Sequence, residues 1–315
     1  MTQPRINPLI IIAIGVLGTS FAAIFVEWSL SPRVLLAFYR LLFTVLIIIP
    51  IFLRMRGWRQ LRTLSTKNIL IIIGAGVALA FHFVLWFFSI DYTTIASAVI
   101  IVDISAIFTA VFAFLILKES LNRWRIIGIS IALIGVVVIS LTDWTQASEL
   151  AVLGDMLALM AAVFAGIYFV AGRKSRQGLD VIPYVFLLYI SCTITLLLAC
   201  LFTGTPLLPP IPHDYPLQPQ QFFLQEYLLF VGIAVVSTIF GHTLYNWALK
   251  YVDAAVVGIA LLAEPIGSIL LAFAFFMAIP HPIVIVGGAL VLVGIYLSFR
   301  KNKNTIEKEQ KKKHL

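Results

Sequence analysis

Apolar runs of about twenty residues recur along residues 8–299, separated by short charged or proline- and glycine-rich breaks. At about 1.5 Å per helical residue, each run is long enough to cross a hydrocarbon core of roughly 30 Å. Only 11% of residues are charged and 61% are hydrophobic, against about 25% and 45–50% in ordinary soluble domains. A soluble globule is excluded, and the expected fold is an all-α integral membrane protein.

The runs predict ten spans, at 8–26, 32–53, 69–89, 93–116, 125–141, 152–171, 181–203, 222–246, 254–277 and 282–299. With the N-terminus in the cytoplasm, the inner segments hold 20 of the 22 Lys and Arg residues, including Arg54 to Lys67, Lys118 to Arg125, Arg173 to Arg176 and the basic tail 300–315. The outer loops then carry Arg33 alone among basic residues, with Glu27, Asp91, Asp143, Glu149 and Asp214. The formal net charge of +8 is therefore an orientation signal and no nucleic-acid footprint, and both termini are expected on the cytoplasmic side of the cell (inner) membrane. Residues 1–8 carry one arginine and no small-residue cleavage motif, so the first run is expected as a retained helix. The loop 204–221 holds six prolines, which prevent a helix there; it is expected as a surface cover, with a gating role as the alternative.

Shifting the chain by 161 residues lays 86–114 on 247–275, with Trp86 on Trp247 and Asp103 on Glu264. After two residues are deleted, the register continues with Gly128 and Gly135 on Gly287 and Gly294, and upstream FAAIF (21–25) matches FAGIY (164–168). The expected organisation is two five-helix repeats, 8–141 and 152–299. An odd number of spans per repeat inserts the second upside down, the arrangement of alternating-access transporters.

Together with the Lys118-Glu119-Ser120 ending of the fourth span, this pattern resembles the EamA-type branch of the drug/metabolite transporter superfamily over nearly the whole chain. The resemblance implies export of amino acids, their derivatives or other small metabolites. The family's glycine–glutamate ending of the fourth helix stands here as Leu117-Lys118-Glu119, and the second half departs further at 278–281.

Ionisable groups within hydrocarbon are costly and need a partner, a wet cavity or a task. Arg40, His82, Asp103, His242 and Glu264 fall in spans. Asp103 and Glu264 each lie about ten residues into their span, near the midplane, and could carry coupled protons or serve as structural hydrogen-bonding groups. Pro265 removes a backbone donor beside Glu264 and is expected to break that helix alone, which predicts an asymmetric site. Arg40, at similar depth, could clamp a solute carboxylate bidentately or pair with Asp103. The two histidines suit proton relay or hydrogen-bonded packing, and His82, like Arg40, could contact the polar head of the solute. Phe21, Phe25, Trp86, Tyr168 and Tyr245 are expected as aromatic cavity walls, with Trp86 alternatively an interfacial anchor. The solute would sit among spans 1, 3, 4, 6, 8 and 9.

The glycines of the fifth and tenth spans form small-residue stripes for close helix contact, which leave a homodimer open. Cys192 and Cys200 lack metal-ligand spacing, and no Walker loop, Rossmann fingerprint, HExxH or GxSxG occurs. No cofactor, metal site or hydrolytic chemistry is expected. The expected partners are a small solute and the lipid bilayer. The rivals are an intramembrane lipid-modifying enzyme using Asp103, His82 and Glu264, and a non-transporting scaffold or sensor.

Overall fold

The structure, a computed structural model, describes residues 4, 6–93, 98, 101–140, 150–216, 218–277 and 282–298. The expected tail 300–315, Asp143 and Glu149, and the divergent segment 278–281 lie outside the described residues. The helices are α1 Pro8–Trp28, α2 Arg33–Arg54, α3 Gly57–Arg62, α4 Thr66–Tyr92, α5 Ser105–Phe112, α6 Arg123–Ser140, α7 Ala151–Arg176, α8 Val181–Phe202, α9 Pro219–Ile233, α10 Leu244–Ala248, α11 Ala254–Leu261, α12 Glu264–Phe276 and α13 Pro282–Ser298. No strand occurs among the described residues.

Seven helical stretches are long and apolar enough to cross a membrane: α1, α2, α4, α7, α8, Pro219–Ala248 and Ala254–Phe275. The fourth and tenth expected spans appear as shorter apolar helices, Ile101–Leu117 and Ile285–Ser298, and the fifth as the 18-residue α6. The chain is thus a multi-pass helical membrane protein. The structure extends several helices past their expected ends, α7 to Arg176 and α4 to Tyr92, because charged and polar residues continue a helix where it leaves hydrocarbon.

Local sequence sets the helix starts. The Asn7 side chain accepts from the Leu9 N–H at 3.0 Å, with Pro8 in the first turn. Before α9, Gln218 and Gln221 cap each other's backbone N–H, again with proline following. Both devices supply acceptors to N–H groups that a helix leaves without partners. Proline-rich residues 203–216 contain no helix, and the Leu207 carbonyl there accepts from the Tyr39 hydroxyl at 2.9 Å.

Two stretches widen into π-helix, Ala113–Leu117 after α5 and Ala234–Thr243 between α9 and α10. In the second, the Thr238 hydroxyl donates to the Ile233 carbonyl and the Thr243 hydroxyl to the Thr238 carbonyl, each five residues back. These bonds reinforce the wide turn. Such bulges cluster at functional sites, and this one carries Ser237, Thr238 and His242.

Small residues set the closest helix crossings. A Cβ on Gly18 would meet backbone of Val236 and Phe240 within 3 Å, and one on Gly241 would meet Thr19, so α1 lies directly on the π-helical stretch. The glycine stripes of α6 and α13 face one another: a Cβ on Gly135 would stand 2.6 Å from the Gly287 carbonyl, and one on Gly294 would strike Gly128 and Ala132 backbone. That pair belongs to a small apolar cluster including Ala106, Ile129, Val136, Ile259 and Val291. The larger core spans α1, α2, α4, α7, α8 and Pro219–Ala260. The two stripes meet each other within one chain.

Candidate functional site

Helices α1, α2, α4, α5, α7, the π-helical stretch and α11–α12 surround a cavity of about 60 Å³. Arg40, His82, Trp86, Asp103, Tyr168 and Glu264 all line it, as the sequence led us to expect, and His242 joins them. The lining helices match the expected spans 1, 3, 4, 6, 8 and 9, with α2 added through Arg40.

Arg40 is 1% exposed. Its Nε donates to the Thr238 hydroxyl at 2.8 Å and its Nη2 to the Ser237 carbonyl at 3.3 Å. The guanidinium carbon stands 4.5 Å from the Phe83 ring centre, a cation–π contact. No ion pair joins Arg40 to Asp103 among the described residues, so the alternative of a locking pair is not realised. The π-helical stretch supplies neutral oxygens instead, which position the cation without forming an ion pair with it.

Asp103 is buried, and its Oδ2 has no hydrogen-bond partner among the described residues. Glu264 faces Thr19 and lies near enough to Arg40 and Asp103 for their charges to interact. The His82 Nδ1 lies 3.0 Å from the Ala161 carbonyl; a carbonyl only accepts, so Nδ1 carries the proton and Nε2 is left as an acceptor. Trp86 Nε1 and His242 Nδ1 also lack hydrogen-bond partners among the described residues. Trp86, Asp103 and His242, each with a polar atom unpartnered among the described residues, therefore line the same small space as Arg40 and Glu264.

The helix breaks differ from expectation. Leu262 and Ala263 donate to carbonyls three residues back, and α12 restarts at Glu264 with Pro265 in its first turn. The first half has a break too: Ile104 donates to Ile101 in the same tight pattern, directly after Asp103 and before α5. Proline is therefore not required. Beside both acids the backbone turns, and the expected asymmetry of the break is corrected.

Phe21 and Phe25 do not line the cavity. Phe21 meets Phe275 edge-on with centres 6.0 Å apart, and Phe25 covers Gly232 and meets Trp28. The cavity face of α1 is Thr19 and Ala22, and positions 21 and 25 form a neighbouring stripe of the helix. Tyr245 stands one layer back, its hydroxyl 2.9 Å from that of Thr19. Tyr168 accepts from Asn246 Nδ2 at 2.6 Å. Thr19, Phe83, Phe169 and Thr238 were not picked out from sequence, because hydroxyl and aromatic residues are common on every face of such helices.

Both ends of the bundle are tied. At the basic end, Glu119 accepts from the Ala254 N–H at 3.0 Å and from Arg173 Nε at 3.1 Å. Arg173 also donates to the Leu249 carbonyl at 2.8 Å, and Arg125 pairs with Asp253. Burial and then the charge of Asp253 push the Glu119 carboxyl up, against the pull of Ala254 and Arg173. At the other end, fully buried Glu226 accepts from Ser29 at 2.7 Å, Ser31 at 2.5 Å and the Leu30 N–H at 2.9 Å.

The model of the EamA-like transporter family matches residues 6–141 and again 152–300. The chain belongs to the EamA-like transporter family. It is 26% identical to an uncharacterized transporter of Clostridium kluyveri over 69% of this chain and 67% of that protein. It is 23% identical to an uncharacterized transporter of Archaeoglobus fulgidus, with 84% and 87% covered. One solved crystal structure has the same fold at a TM-score of 0.72 and 20% identity, covering 93% of this chain and 96% of that one. The function is therefore that of a membrane transporter, acting on a solute within a lipid bilayer.

Proposed function

We propose that this EamA-family chain exports a small zwitterionic or acidic metabolite, of the amino-acid type, across the cell membrane by alternating access. The observation that carries this is the central cavity, where Arg40, Asp103 and Glu264 surround unpartnered polar atoms of Trp86 and His242. Arg40 receives the solute carboxylate, and Asp103 receives its cationic group. One guanidinium offsets only one of the two carboxylates, and a second uncompensated carboxylate in so apolar a site is strongly disfavoured. Either the solute's cation or a proton supplies the balance, and Glu264 is assigned as the proton carrier in a coupled cycle.

The ten spans are read as two inverted five-helix repeats, which the double match of the family model at 6–141 and 152–300 supports. Both termini face the cytoplasm, the side on which the basic segments gather. The cavity's 60 Å³ is far below the roughly 300–1,000 Å³ of ligand clefts, so the halves are read as parting further to admit solute.

The test is efflux from proteoliposomes loaded with an amino-acid and metabolite extract, followed by mass spectrometry for wild type, Glu264→Gln and protein-free vesicles. The expected result is selective loss of an unchanged solute through wild type, with proton dependence abolished in Glu264→Gln. Proton-dependent efflux at the wild-type level in Glu264→Gln would remove the coupling role, and new product masses would favour an enzyme.

A further inference from the structure

On the outer surface of the bundle, away from the cavity, a groove of about 380 Å³ runs between α4, α7 and the π-helical turn after α5. Ile71, Phe112, Ile116, Ile167, Val170 and Ala171 line it, and Lys174 closes one end. Arg173 and Arg176, on the same turn as Lys174, are engaged by Glu119 and the Leu249 carbonyl, and by the Asn246 and Leu179 carbonyls. Lys174 is exposed and has no hydrogen bond or ion pair among the described residues.

Two further lysines fall at the same end of the bordering helices. Lys67 lies one turn before Ile71 on the same face of α4, and Lys118 follows groove-lining Ile116 by two residues, ending the helix in the left-handed conformation at φ 59°. Both are exposed and likewise unpaired among the described residues. Lys174 thus lines the groove, and Lys67 and Lys118 stand at the basic ends of the two other helices that border it.

We propose that the groove holds an acyl chain of an anionic glycerophospholipid, whose phosphate is bound by Lys67, Lys118 and Lys174. A groove of apolar side chains at hydrocarbon depth fits a lipid tail, and a cluster of cations at its interfacial end fits an anionic head group. A neutral zwitterionic lipid would leave those cations without net compensation. The assignment rests on the chain spanning a bilayer and is independent of the solute and of proton coupling. Because Glu119 and Arg173 lie on the same helix ends, the lipid would border the tie at the basic end.

Native mass spectrometry of the full chain in detergent, titrated with phosphatidylglycerol or phosphatidylcholine, tests this. Wild type is expected to retain one phosphatidylglycerol in preference to phosphatidylcholine. In the Lys67→Gln/Lys118→Gln/Lys174→Gln variant that preference should fall roughly ten- to a hundred-fold. Ala171→Trp, which fills the groove and keeps all three lysines, should abolish retention. Arg54→Gln/Arg59→Gln/Arg62→Gln, an equal change of charge elsewhere, should retain the lipid. Equal retention of both lipids by wild type, unchanged preference in the lysine variant, or equal loss in the arginine control would overturn the site. Melting midpoints confirm that each variant is folded, and a failure of solute efflux would not alter these readings.

Discussion

Arg40 is fixed by neutral acceptors on one side and by the Phe83 face on the other, so its charge is available to the cavity. A lysine in its place cannot donate to Thr238 and Ser237 in the same fork and still meet a carboxylate bidentately. Arg40→Lys should therefore raise the KM for solute at least about tenfold, given about 1.5–3 kcal/mol for a charged hydrogen bond. Efflux kinetics with a melting curve decide this; an unchanged KM in a folded variant would make Arg40 a structural residue only. Arg40, Asp103 and Glu264 were legible in the sequence because a charge inside an apolar run has few reasons to be there. Phe21 and Phe25 were not, since the rotation of an apolar helix about its axis leaves little trace in its composition. Thr19 and Ala22, small and unremarkable in sequence, took the cavity face instead.

Among the elements, the change of repeat register from 161 to 159 residues coincides with a difference in helix winding. Lys118 and Met277 are both left-handed helix ends, at φ 59° and 54°, and they stand 159 residues apart. The π-helical turn Ala113–Leu117 lies in this longer stretch of the first half and takes up part of the extra length, where α12 stays regular to Phe276. The sequence shows the shift, but a wide turn has no residue signature of its own. The α6–α13 pair was legible from its glycines, and Gly135→Leu should splay it, because the new Cβ would press on the Gly287 carbonyl at 2.6 Å. A loss of about 1–3 kcal/mol is expected, read as a lowered unfolding midpoint in detergent, and an unchanged midpoint would contradict this packing. A smaller electrostatic clasp joins α3 to the loop before α8, where Asp180 accepts from Gln60 at 2.8 Å and from Lys250 at 3.2 Å. The Gln60 hydrogen bond, and then Lys250, hold its carboxyl below the usual value. The folded state therefore binds that proton less readily than the unfolded chain. The clasp's contribution is full above the ordinary aspartate range and is lost as pH falls through the lowered value. For so exposed a group it amounts to a few tenths of a kcal/mol, about 1 at most. Asp180→Asn should remove that part of the acid dependence of the melting midpoint; identical pH profiles for variant and wild type would leave the clasp without thermodynamic weight.

Across the whole molecule, a small cavity lies between two ties, each centred on one glutamate. Glu119 draws α5, α7 and α11 together at the basic end, and Glu226 draws α9 onto the turn between α1 and α2 at the other. In an alternating-access cycle these cannot both hold while solute enters or leaves, so each is a term in the equilibrium between forms open to opposite sides. Weakening one should favour opening at its own end. Glu119→Gln removes the charge from two hydrogen bonds, and Glu226→Gln from three. With about 1.5–3 kcal/mol per charged hydrogen bond as the upper scale, shifts of roughly ten- to a hundred-fold in the open population are expected. A cysteine at cavity-lining Ser105 reports this through membrane-impermeant thiol reagents added to vesicles of either orientation. Glu119→Gln should speed labelling from the basic side and slow it from the other, and Glu226→Gln should do the reverse. Reciprocal changes are what a two-state rocking equilibrium requires, whereas a protein that merely loosens would label faster from both sides in both variants. That outcome would remove alternating access as the use of this cavity while leaving the fold and the family intact.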